Sequence, residues 1–182
     1  MNSKTLEAIQ TISKIAKVLC SIAYVCCLVG SILCIVGFAC VGIPQGVRVG
    51  GVTIYSMIDE LEGVNMGTSY ALLLGGAIFS VTGCVMSKLA RSYFENELAA
   101  GTPFTIEGSK ELMHLGVCIA AISLGSTVLA TIGNGFFDRF YTDVLELSFD
   151  PSGMVLLGLA FIAASLICKH GAELSGKAAA DC

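Results

Sequence analysis

Four stretches of the chain, residues 18–47, 63–87, 112–137 and 151–168, contain no Lys, Arg, Asp or Glu. A helix that crosses a bilayer needs roughly 17–25 predominantly apolar residues, so each stretch predicts one transmembrane helix. The first runs over about 18–41 and ends near Gly42 and Pro44; the second covers about 67–87. The third covers about 112–133 and stops around Gly133-Asn134-Gly135, with Asn134 as a cap. The fourth, about 152–168, is barely of spanning length and is expected to stand nearly upright. The expected fold is all-α and integral to the membrane: one four-helix transmembrane bundle over residues 1–182.

The connections carry patterns of their own. Leu6, Ile9, Ile12 and Ala16 recur at helical spacing ahead of the first window, predicting a short interfacial helix that lies against the leaflet. In the first loop Val47 and Val49, then Val52 and Ile54, alternate with Arg48 and Thr53, and Gly50-Gly51 marks a bulge or tight bend. The third loop alternates at Leu145, Leu147 and Phe149 and is stopped by Asp150-Pro151. The two extended segments are expected to pair into a small β-ribbon. Between the second and third windows, Leu89, Tyr93, Phe94 and Leu98 keep helical spacing while Arg91, Glu95 and Glu97 stay polar. The second helix therefore continues past its window. Gly101-Thr102-Pro103 breaks it, Thr105 caps the next helix, and Glu107 sits in that helix's first turn.

Composition agrees with a bilayer environment. Hydrophobic residues make up 55% of the chain and charged residues 13%, and the mean hydropathy is +0.83, all outside the soluble range. The sequence pI near 5.1 argues against direct nucleic-acid binding. Lys4, Lys14 and Lys17 resemble the basic region of a signal peptide, but the apolar run after them is about twice a normal h-region, so the first window reads as a retained anchor.

Charge also orients the chain. Lys4, Lys14, Lys17, Lys88, Arg91, Lys110, Lys169 and Lys177 fall before the first window, between the second and third, or after the fourth. Arg48 and Arg139 alone fall in the other two gaps, among seven carboxylates: Asp59, Glu60, Glu62, Asp138, Asp143, Glu146 and Asp150. The positive-inside rule puts both termini and the 88–111 loop in the cytoplasm and the acidic loops outside. The expected location is the cell membrane.

Lipid tails are as apolar as leucine, so helices associate through close approach at small residues. The first helix offers a seam of them: Cys20, Ala23, Cys27, Gly30, Cys34 and Gly37, spaced 3, 4, 3, 4, 3 as in a left-handed heptad. Gly76, Ser80 and Cys84 form a stripe on the second helix, and Ala160, Ala164 and Cys168 on the fourth. These stripes predict a tight four-helix bundle with the first helix packed along its length; a homo-oligomer stays open as a further assembly. The nine cysteines read as packing residues rather than disulfide partners. A ring of Cys20, Cys84, Cys118 and Cys168, with His114 and His170, sits near one end of the four helices. Its soft ligands suit a metal or a thiol sensor, although no C-x-x-C pair is present and packing is the favoured reading.

No Ser/His/Asp set, phosphate-binding loop or dinucleotide glycine pattern occurs, so the chain reads as non-enzymatic and without a cofactor. No Asp, Glu, Lys or Arg lies mid-membrane, which argues against a proton-coupled pump or a charged-substrate pathway. A small transporter or channel component and a metal or thiol-redox sensor stand as alternatives.

Two segments are similar to a known family. Phe94 to Leu112, FENELAAGTPFTIEGSKEL, resembles the Gly-x-Pro-Phe-Thr segment of the bacterial membrane family called domain of unknown function 2975. Ile167 to Leu174, ICKHGAEL, resembles that family's IF-aromatic-G-x-x-L ending. The four-helix layout with a longer first outer loop agrees. Two departures stand out: Cys168 and His170 occupy positions where the family has aromatics, and SGKAAADC replaces an acidic tail. The resemblance implies a regulatory or accessory role toward a cytoplasmic partner such as a compact helix-turn-helix regulator. It also implies a docking surface that includes Gly101, Pro103, Phe104, Thr105, Gly171 and Leu174.

Overall fold

The computed structural model describes residues 3–41, 48–49, 52–53, 66–101, 105–141 and 150–180. Four long helices dominate: α1 (Ser3–Val41), α2 (Met66–Ala100), α3 (Ile106–Phe140) and α4 (Ser152–Ala180). Each holds most of one charge-free window, and all four are long and apolar enough to cross a membrane. The hydrocarbon interior offers backbone N–H and C=O groups no water partner, and a continuous helix satisfies them within the segment.

Three features depart from the sequence expectation. First, α1 is unbroken from Ser3, so residues 5–17 form no separate leaflet-parallel helix. The buried Ser13 turns this segment toward α2, while Ile12 and Ile15 face outward. Second, α3 continues through Gly133-Asn134-Gly135 to Phe140. Phe137 stacks on Tyr70 of α2 at 5.9 Å between ring centroids, which rewards another turn of helix beyond the glycines. Third, α4 runs on to Ala180, and its apolar span reaches Glu173, 22 residues in all. That exceeds a minimal span and removes the argument for an upright helix.

The first loop contains a two-stranded antiparallel hairpin of β1 (Arg48–Val49) and β2 (Val52–Thr53), in register Arg48↔Thr53 and Val49↔Val52. A two-residue glycine connection is what tight hairpins select. The pairing lies within this loop. The third-loop segment expected as its partner, residues 145–149, lies outside the described residues.

The chain divides into two compact units. The first comprises Met1–Val25, Gly83–Leu124 and Pro151–Cys182, and all four helices contribute to it. Its core is Tyr93, Leu112, Leu115 and Ile119, packed by Met86, Leu89, Phe94, Phe161, Ala164 and Cys168. On α3 the buried face repeats as Ser109, Leu112, Gly116, Ile119 and Ser123, a 3–4 alternation suited to left-handed helix packing. The backbones of α3 and α4 approach closely at two glycines. A Cβ placed on Gly116 would lie 2.7 Å from the Gly158 carbonyl oxygen, and one on Gly158 would lie 2.7 Å from that of Gly116. Of the expected α4 stripe, Ala164 and Cys168 pack against this core. Ala160 is exposed, while Gly158 and Ser165 are buried.

The second unit comprises Cys26–Thr82 and Gly125–Asp150. Here α1 runs antiparallel to α2 along small residues: Gly30 meets Ser80, Cys34 meets Gly76, and Gly37 meets Leu73. Of the expected α1 seam, Cys20, Cys27, Gly30, Cys34 and Gly37 are half-buried, but Ala23 is exposed and Tyr24 takes its place. At 3.6 residues per turn, one position in the seam is free to choose either neighbour. Phe38, Tyr70, Phe137 and Tyr141 form an aromatic cluster with centroid separations of 5.0–6.5 Å.

Adding a methyl at Gly116 or Gly158 must push two backbones apart. G116A and G158A are expected to lose about 1–3 kcal/mol of stability, read as a lower midpoint when the folded protein is titrated with a denaturing detergent. G125A, where a Cβ meets nothing within 4 Å, serves as the control and stays near the parent. Equal midpoints for G116A and G125A would contradict the packing.

Candidate functional site

Beyond residue 87, α2 carries charge, and its last turns form a polar end with α1 and α3. Residues 88–100 add roughly 20 Å of helix beyond the window. Their apolar face, Leu89, Tyr93 and Phe94, continues the core, while Arg91, Glu95, Asn96 and Glu97 reach for partners on neighbouring helices.

Three contacts join α1 to this end. The buried Ser13 hydroxyl donates to Glu97 Oε1 at 3.1 Å. Lys17 Nζ pairs with Glu95 Oε1 at 3.2 Å. Gln10 Nε2 donates to the Gly101 carbonyl at 3.5 Å. Arg91 Nε also donates to Glu95 Oε1, at 3.1 Å, one turn away on α2. Hydrogen bonds from Arg91 and then Lys17 hold the Glu95 carboxyl below its ordinary value. Glu97 moves the other way: burial pushes its carboxyl up, and the Ser13 hydrogen bond opposes that only in part. Burial, followed by the negative potential of Glu97, also raises the Tyr93 hydroxyl, so it stays protonated.

Two described residues flank the connection between α2 and α3. Gly101 adopts φ +72°, the left-handed conformation that ends a helix and that a Cβ disfavours. Its N–H donates to the Glu97 carbonyl at 3.1 Å. Thr105 Oγ1 accepts the Gly108 N–H at 2.9 Å, the N-cap bond for α3, and Glu107 lies in the first turn. Pro103 and Phe104 lie outside the described residues. Across the turn, Asn96 Nδ2 donates to both Glu111 oxygens at 3.0 and 3.1 Å. Beside this bridge is a cavity of about 190 Å³, lined by Ser92, Tyr93, Asn96, Glu111 and His114 over Leu89 and Leu115.

The other residues singled out from sequence are dispersed. His114 contacts Cys118 at 3.7–3.8 Å. The Cys84 thiol approaches the Tyr24 carbonyl at 3.8 Å, and Cys168 packs against the Tyr93 cluster. Cys20 is half-buried and His170 exposed. Among the described residues no three His, Cys, Asp or Glu side chains gather as a metal site. Gly171 is half-buried on α4, and Leu174 falls in the same helix, its side chain outside the described residues. Sequence reasoning missed the α1 contribution altogether, although Gln10, Ser13 and Lys17 lie at 3–4 spacing on one face.

Four membrane-crossing helices with a polar, hydrogen-bonded end define an integral membrane protein. Comparisons with family models, curated proteins and solved structures each return no match.

Two outcomes follow from this geometry. Alanine at Gly101 or Thr105 is expected to cost about 1 kcal/mol each, seen as earlier thermal unfolding in detergent, and T105S should retain most of the cap. The second concerns pH. Because the Glu97 carboxyl is raised, folding favours its protonated form, so its contribution to stability grows as pH falls through the raised value and is complete below the unfolded one. The lowered Glu95 carboxyl contributes stability at neutral pH that is lost on acidification. E97Q keeps an acceptor for Ser13 without a charge. It should match or exceed the parent in thermal stability near pH 7 and fall off more steeply toward about pH 4. An E97Q profile parallel to the parent's would refute this.

Proposed function

We propose that this protein is a non-enzymatic accessory or regulatory component of the cell membrane, which docks a cytoplasmic protein partner at the polar end of α2 and α3. The observation that carries this reading is the projection of α2 beyond its window, tied to α1 and α3 by side-chain hydrogen bonds. Such an end is ordered, polar and not buried in lipid, which suits a recognition surface. Eight of the ten basic residues accompany it and the two termini, and the positive-inside rule then reads that side as cytoplasmic. The resemblance of residues 94–112 and 167–174 to domain of unknown function 2975 motivates a compact helix-turn-helix regulator as the partner, by analogy.

Photo-crosslinking in native membranes tests the proposal. A photoreactive residue at Asn96 or Glu111 is expected to trap one protein partner. The same residue at Val128, exposed on the apolar face of α3, should trap lipid. P103A with F104A should abolish the protein adduct; an unchanged adduct pattern would sink the docking surface.

A further inference from the structure

A second depression in the first unit has a different chemistry. It is a groove of about 350 Å³ lined by Tyr24 of α1 and by Lys88, Arg91, Ser92 and Glu95 of α2. Glu95 accepts both Arg91 and Lys17, so two cations share one carboxylate and, with Lys88 counted, two positive charges remain. Lys88 has no carboxylate partner among the described residues.

Depth narrows the ligand. Lys17 is the last charge before the apolar window of α1, and Lys88 is the first after that of α2. In this unit Lys17 meets Glu95, and Tyr24 meets Cys84. The two helices are thus antiparallel: Lys17 lies level with Glu95, and Lys88, seven residues earlier on α2, lies roughly 10 Å nearer the window, so the two lysines bracket the passage from hydrocarbon to headgroups. Val85, three residues before Lys88 and therefore on its face of α2, is exposed. The groove therefore offers cations and hydroxyls at headgroup level and an apolar strip on the window side.

We propose that this groove binds the phosphate of an anionic phospholipid. Lys88 and Arg91 hold the phosphate, the Ser92 and Tyr24 hydroxyls donate hydrogen bonds, and an acyl chain runs beside Val85. Inorganic phosphate satisfies the cations but leaves the apolar strip uncovered, and a neutral phospholipid leaves the excess charge uncompensated. The proposal does not depend on the docking function.

The test is native mass spectrometry of the intact, detergent-solubilised protein titrated with phosphatidylglycerol or phosphatidylcholine. The parent is expected to hold one phosphatidylglycerol in preference to phosphatidylcholine. A basic residue near the membrane surface is worth about 1 kcal/mol toward an anionic lipid, or about fivefold in affinity. K88Q should therefore weaken phosphatidylglycerol binding about fivefold, and K88Q/R91Q by roughly ten- to thirtyfold. K88Q breaks no ion pair, so it keeps the test valid if the double variant unfolds. K14Q/K110Q removes two exposed charges elsewhere and should bind like the parent. Three results would each overturn the proposal: full affinity in K88Q/R91Q, an equal loss in K14Q/K110Q, or displacement of the lipid by millimolar inorganic phosphate.

Discussion

Everything in this molecule follows from the solvent its windows must occupy. In hydrocarbon, burying one leucine against another gains little over leaving it against an acyl chain, so helices hold together where backbones come close. Gly116 and Gly158 are the clearest instance, each with a position for a Cβ already occupied by the other's carbonyl. Between α1 and α2 the same logic uses Gly30, Cys34 and Gly37 against Ser80, Gly76 and Leu73. The cost is visible on the other faces. Ile22, Val29, Ile32 and Val36 of α1 are about half exposed, which is tolerable only where lipid covers them.

The polar end obeys the opposite rule. Once α2 passes residue 87 it carries charge, and isolated exposed ion pairs contribute little. The arrangement compensates by combining contacts. Ser13 is buried where it meets Glu97, Lys17 and Arg91 converge on Glu95, and Gln10 reaches the Gly101 carbonyl. On the other side Asn96 and Glu111 bridge α2 to α3. An end tied this way can present a fixed surface.

What was legible in the sequence divides along the same physical line. The windows, the continuation of α2, the break at Gly101 and the cap at Thr105 are local signals, written in charge spacing and turn chemistry. Helix partners are not local. The seam on α1 was readable at Cys27, Gly30, Cys34 and Gly37, but the choice of Tyr24 over Ala23 depends on the facing helix. The Gly116–Gly158 contact was hidden because each glycine stands alone in its helix's pattern and gains meaning only beside the other. The continuation of α3 through Gly133-Asn134-Gly135 escaped for a related reason: weak local propensity yields to the aromatic packing of Phe137 on Tyr70. The ties from α1 were obscured by reading residues 5–17 for their apolar positions rather than for Gln10, Ser13 and Lys17.

The central claim is that residues 88–101 and 105–111 belong to an end outside the membrane, on the same side as both termini, with four crossings behind it. Single cysteines introduced at positions 14, 96, 111 and 170 of a variant lacking the native cysteines, probed with a membrane-impermeant maleimide in oriented vesicles, test this directly. All four are predicted to react from one face of the vesicle, whereas a cysteine at position 128 should react only after detergent is added. Labelling of positions 96 and 111 from the face opposite to 14 and 170, or of position 128 in intact vesicles, would contradict the account.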